Sequence, residues 1–114
     1  MSEERRWYNR YPITISGVLA NGFLVCRVEV LDISAEGVRI RGDLGRLKVG
    51  DRVKFCIQVK PPIKLGAEVR WIKKTPKGYE AGLKFLNVPF QTRQHIQLFL
   101  SQVALAATPE PYFR

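Results

Sequence analysis

A chain of 114 residues accommodates one compact domain and not two. With 46% hydrophobic and 25% charged residues it lies outside the range of globally disordered chains, and no apolar run approaches the ~18 residues of a membrane-spanning helix. Nineteen Lys and Arg against ten Asp and Glu give a formal charge of +9, a field that attracts nucleic acid, nucleotides, phosphoinositides or acidic proteins.

Met1-Ser2-Glu3-Glu4-Arg5-Arg6 carries charge with no apolar segment behind it, so no secretory signal is expected. Alternation then starts over residues 13–20 and continues after Asn21-Gly22 in Leu24-Val25-Cys26-Arg27-Val28-Glu29-Val30, where the even positions are apolar. Val38-Arg39-Ile40-Arg41 and Val53-Lys54-Phe55-Cys56-Ile57-Gln58-Val59 repeat the pattern. Ile63, Leu65, Ala67, Val69 and Trp71 share one phase, and Tyr79-Glu80-Ala81-Gly82-Leu83-Lys84-Phe85 forms a last strand. Val49-Gly50-Asp51, Pro61-Pro62 and Pro76-Lys77-Gly78 supply the turns between them. Six short antiparallel strands at this spacing predict a small closed or nearly closed β-barrel, and the fold class is mainly β.

After Pro89 the period changes. Ile96, Phe99, Leu100, Val103 and Ala107 fall at helical spacing, so one amphipathic helix starts at Pro89 or Thr92 and must end at Pro109. The expected organisation is an N-terminal arginine-bearing arm over residues 1–12, a barrel with its C-terminal helix over 13–107, and a loose tail over 108–114. Cys26 and Cys56 each lie in an apolar stretch and read as buried free thiols of a reducing compartment, so the expected location is cytoplasmic.

Catalysis finds little support. His95 is the single histidine and lies on the predicted helix, and two separated cysteines offer no zinc spacing. No phosphate-cradling glycine loop or nucleophile elbow is present, and the acids are scattered. No catalytic residue, metal site or cofactor is therefore expected.

Two short constellations remain. Arg6-Trp7-Tyr8-Asn9-Arg10, preceded by Arg5, carries guanidinium groups that can converge on one polyanion, although alone it also reads as a solvated basic tail. Asp32-Ile33-Ser34-Ala35-Glu36-Gly37 joins two strands. Asp32 can accept from the N1 and N2 donors of a guanine or hold an arginine, the Ser34 hydroxyl can serve a phosphate or base, and Gly37 leaves room for a flat ring. Taken singly, this segment reads more readily as a turn whose side chains bond their own backbone.

In this order, with Leu47-Lys48-Val49-Gly50-Asp51, Ala67-Glu68-Val69-Arg70-Trp71 and the final strand ending Gly82-Leu83-Lys84-Phe85, the motifs resemble the PilZ domain, a bacterial receptor for cyclic di-GMP. The resemblance implies a six-stranded antiparallel barrel with one C-terminal helix. It also implies a cyclic di-GMP site made by Arg6, Arg10, Asp32, Ser34 and Gly37. Trp71 matches a ligand-facing tryptophan of some members, yet its phase with Ala67 and Val69 also reads as core. Relatives with an arginine directly before the pair tend to bind an intercalated dimer of the ligand, so Arg5 joins the site and implies two molecules per domain. The implied function is a receptor whose arm becomes ordered on ligand binding and signals to an unidentified partner protein in motility, exopolysaccharide or biofilm control. The alternatives are a small basic barrel that binds nucleic acid, disfavoured by the outward residues of residues 23–31, and a ligand-independent interaction module of the same fold. Membrane insertion is not expected.

Overall fold

The computed structural model describes residues 11–22 and 24–107. Among the described residues, six strands precede one helix: β1 (Tyr11–Asn21), β2 (Leu24–Ile33), β3 (Gly37–Gly42), β4 (Arg52–Ile57), β5 (Ile63–Thr75), β6 (Gly78–Leu86) and α1 (Phe90–Ala107). The strands close into an antiparallel barrel in the order β1-β2-β3-β6-β5-β4, so β3 pairs with β6 and β4 returns to β1. The six-stranded barrel with a terminal helix is the fold the sequence implied.

Period-two alternation builds the interior. On β5, Ile63, Leu65, Ala67 and Val69 point inward, and Val28, Val30, Ile40, Phe55 and Ile57 meet them from the other strands. Each such side chain contributes about 1.5–3 kcal/mol of transfer free energy when fully buried, which is what drives the chain to close rather than lie flat. Closure also leaves no unpaired edge. Leu44 and Leu47, in the connection from β3 to β4, are buried in the same core.

The β5–β6 hairpin turns at Thr75-Pro76-Lys77-Gly78. Gly78 adopts φ 120°, a region that L side chains avoid, and Thr75 Oγ1 accepts from the Lys77 N–H and donates to the Gly78 carbonyl. From the other end of β6 the chain leads into α1, which begins directly after Pro89, where the Pro89 carbonyl accepts the Arg93 N–H at 2.8 Å. Ile96 and Leu100 bury its inner face, and the helix packs against β5 and β1.

One expectation needs correction. Cys26 and Cys56 are free but only half-buried. Cys56 lies between the inward Phe55 and Ile57 and therefore belongs to the outer face, while Cys26 sits beyond the fully buried part of β2.

Candidate functional site

Strict alternation would send both Asp32 and Trp71 into the core: Asp32 shares the phase of Val28 and Val30, and Trp71 that of Ala67 and Val69. Two register shifts reverse this. Between Val30 and Asp32, β2 advances two residues while β3 advances one, so Leu31 is extra. Between Val69 and Trp71, β5 does the same against β6, so Arg70 is extra. An inserted residue of this kind flips the facing of everything beyond it. Ile33 is accordingly buried, Asp32 is outward, and Trp71 is 39% exposed rather than part of the core.

The bulges also align the two residues. Asp32 is in register with Arg39 on β3, Arg39 with Gly82 on β6, and Gly82 with Trp71 on β5. The result is one cross-strand row on the outer face, about 14 Å from end to end at ordinary strand spacing. Pro12 on β1 is in register with Asp32 and Tyr11 with Ile33, so the chain enters the barrel beside this row.

Gly82 makes the row possible. The indole of Trp71 lies over it, and a Cβ at 82 would collide with Nε1 and come within 2.6 Å of Cε2. The missing side chain is the slot the indole occupies.

At the other end of the row, Arg39 donates from Nε to Asp32 Oδ2 at 2.8 Å and from Nη1 to Glu80 Oε1 at 3.1 Å. The Asp32 and Glu80 side chains are only 14% and 13% exposed, whereas Arg39 is 40% exposed, so the carboxylates are sunk and the cation bridges above them. The hydrogen bond to Asp32 raises the Arg39 pKa above its ordinary value; partial burial works against this, and the charges of Asp32 and Glu80 add to it. Arg39 and Glu80 were not among the residues singled out in the sequence, and Gly82 entered only as part of the final-strand motif, with no site role. Arg39 was legible as an outward residue between Val38 and Ile40, but nothing local paired it with Glu80, 41 positions away.

Ser34 and Gly37 shape the loop. Ser34 is 1% exposed; its hydroxyl accepts from the N–H groups of Glu36 and Gly37 at 3.2 and 3.3 Å and donates to the Gly37 carbonyl at 3.4 Å. The Ser34 N–H also reaches that carbonyl, at 2.9 Å. Gly37 faces β6 so closely that a Cβ there would strike the Leu83 carbonyl oxygen. In this structure both residues thus serve the backbone turn that follows Asp32. Arg5, Arg6 and Arg10 lie outside the described residues.

A separate cleft of about 420 Å³, lined by Val18, Ala20, Lys54, Cys56, Lys64 and Gly66 among others, lies on β1, β4 and β5 and shares no residue with the row. Among the described residues no cluster of His, Cys, Asp or Glu could hold a metal ion, and no helix is long and apolar enough to cross a membrane.

The family model described as the PilZ domain matches residues 4–102, most of the chain. The chain belongs to the PilZ domain family. Solved structures share this PilZ fold at low sequence identity. The inhibitor of motility MotI/DgrA of Bacillus subtilis superposes with a TM-score of 0.79 at 18% identity, over 92% of this chain and 54% of that one. YcgR of Escherichia coli, in complex with c-di-GMP, gives 0.76 at 17% identity over 90% and 47%. The PilZ domain of YcgR with c-di-GMP gives 0.75 at 15% identity over 90% and 94%. This chain therefore spans about half the length of the first two proteins. None of the curated proteins searched matches it significantly.

Proposed function

We propose that this PilZ domain is a receptor for cyclic di-GMP, bound on the outer face of β2, β3, β6 and β5. The observation that carries this reading is the shared row of Asp32 and Trp71 beside the point where the N-terminal segment enters the barrel: Tyr11 and Pro12 are in register with Ile33 and Asp32, and the residue before Tyr11 is Arg10. Asp32 accepts from the donor edge of a guanine, while Arg6 and Arg10 address guanine O6 and N7 and the phosphates, the geometry in which arginine forks bind best. Arg5 supplies a further cation, sufficient for two stacked ligand molecules. Trp71 offers an apolar wall, and Ser34 with Gly37 fixes the loop that presents Asp32. That YcgR has been solved with c-di-GMP on the same fold supports the assignment.

In this scheme the ligand is a shared counterion. Three arginines within six residues repel one another until a dianion gathers them, and the arm orders across the barrel face. The reshaped surface, including Trp7 and Tyr8, is what a partner protein reads. The domain is thus a cytoplasmic adaptor without catalysis of its own, and it couples the messenger to motility, exopolysaccharide or biofilm control. Calorimetric titration of the purified chain with cyclic di-GMP and cyclic di-AMP tests this directly. Saturable binding of the guanine ligand alone, at two molecules per chain, is expected; equal binding of both ligands, or of neither, overturns the reading.

A further inference from the structure

The wall formed by β1, β4 and the first half of β5 differs in chemistry from the Asp32–Trp71 row. Two cross-strand rows cross its outer face from β2 to β5: Arg27, Val18, Cys56 and Lys64 in one, Val25, Ala20, Lys54 and Gly66 in the next. Val18, Ala20 and Cys56 are half-buried and floor the middle, where the cleft of about 420 Å³ lies. At Gly66 an added Cβ would meet nothing within 4 Å, so part of the hollow is the space of a missing side chain. Lys54 and Lys64 are diagonal neighbours across β4 and β5, about 7–8 Å apart, and Arg27 stands at the β2 end.

These cations are uncompensated. Among the described residues Arg27, Lys54 and Lys64 are exposed and form no ion pair. β1 carries no charged residue, and the nearby acids are engaged elsewhere. Glu29 pairs with Arg41 at 3.0 Å, Glu68 lies 3.9 Å from Arg70, and Asp51 accepts from the Lys48 N–H at 2.9 Å and from Asn21 Nδ2 at 3.4 Å. An apolar hollow framed by free ammonium groups complements an apolar side chain flanked by carboxylates. The same features select against other occupants. Each further copy of the chain brings a charge of +9, which repels this face. A cleft lined from one barrel wall leaves a small molecule largely in water, whereas a protein segment covers it from above. The closed barrel offers no strand edge for β-augmentation, so recognition here falls to side chains.

We propose that this cleft docks an acidic segment of a partner protein: one large apolar side chain enters the hollow over Gly66 and Cys56, and flanking carboxylates pair with Lys54, Lys64 and Arg27. The proposal goes beyond the cyclic di-GMP reading and does not depend on it, because the cleft and the row share no residue.

The test is an amide NMR titration of the full chain, without cyclic di-GMP, using the acetylated peptide Asp-Glu-Leu-Phe-Glu-Asp. Its counterparts with Ala-Ala at the centre or Lys for every acid, and an oligothymidylate, serve as comparison probes. Saturating shifts at Val18, Ala20, Lys54, Cys56, Lys64 and Gly66, and none at Trp71 or Gly82, are expected for the acidic Leu-Phe peptide alone. Gly66→Leu fills the hollow where the backbone has room for a side chain, and should weaken the peptide at least about tenfold, the value of a buried large apolar side chain. Lys54→Gln and Lys64→Gln should each weaken it about two- to fivefold, as exposed ion pairs do. Lys77→Gln, an exposed residue in the β5–β6 turn, makes the same charge change away from the cleft and should leave affinity within about twofold. In a Cys26→Ser background the peptide should also slow alkylation of Cys56 by iodoacetamide; if Gly66→Leu fails to fold, this protection and the double lysine variant carry the test. Absence of shifts, equal binding of any comparison probe, or affinity unchanged by the cleft variants overturns the proposal. None of these outcomes bears on the separate titration with cyclic di-GMP, in which Gly66→Leu should behave as wild type.

Discussion

The indole of Trp71 rests on Gly82, the one position of its cross-strand row without a side chain, and Arg39 flanks that glycine from β3. Packing an aromatic ring over a glycine in a neighbouring strand buries much of the ring while leaving an edge in solvent. It also couples the tryptophan to a residue 11 positions away that no local pattern links to it.

Gly82→Ala should therefore displace the indole. The added methyl must fit where ring atoms now lie, and overpacking of this kind costs about 1–3 kcal/mol. In a Trp7→Phe background, red-shifted emission from Trp71 together with a lower urea midpoint is the expected result. Unchanged emission would mean that the indole does not occupy the glycine slot.

Ser34→Ala should destabilise the fold even without ligand. The hydroxyl is buried and serves the N–H groups of Glu36 and Gly37, so its loss costs about 1–3 kcal/mol. Chemical denaturation of the free protein measures this. A stability equal to wild type would show that the turn supports itself through the Ser34 N–H to Gly37 carbonyl bond.

For Arg39 the sign of the linkage is set by a raised pKa. A cation stabilised in the folded state contributes fully below its unfolded pKa and is lost only as pH climbs through the folded value, which here lies beyond the ordinary alkaline range. The stability difference between wild type and Arg39→Gln should accordingly stay flat between about pH 6 and 9. A difference that collapses within that window would assign the effect to a group other than the guanidinium.

Arg6→Ala and Arg10→Ala should each weaken cyclic di-GMP binding by about 30–150-fold, equivalent to ~2–3 kcal/mol of charge-assisted bonding. Arg5→Ala should reduce the stoichiometry from two molecules toward one. Calorimetry resolves both quantities, and Asp32→Ala is expected to match the arginine variants in affinity while still folding, with a lower melting transition from the lost Arg39 bond.

Much of the barrel was legible because inward and outward residues alternate with period two and glycine or proline punctuates the strands. Val28, Val30, Ile40 and Phe55 needed nothing beyond that rule to be assigned to the core. The rule failed at Leu31 and Arg70, and there it would have buried Asp32 and Trp71. A bulge is decided by the register of the partner strand, which a linear pattern does not contain. Ser34 and Gly37 were visible as a motif, but their work within the turn became clear only from the closeness of Leu83 and the burial of the hydroxyl.

Residue order alone thus determined the number of strands, the terminal helix, the basic character and the two polar motifs, because all of these depend on composition and on spacing along the chain. Tertiary structure decided which of those residues meet: it turned Asp32 and Trp71 outward, joined Asp32 to Glu80 through Arg39, and laid the indole over Gly82. Those relationships are set by barrel closure, which pairs β3 with β6 across 36 intervening residues, from 42 to 79, and which no nearest-neighbour preference encodes.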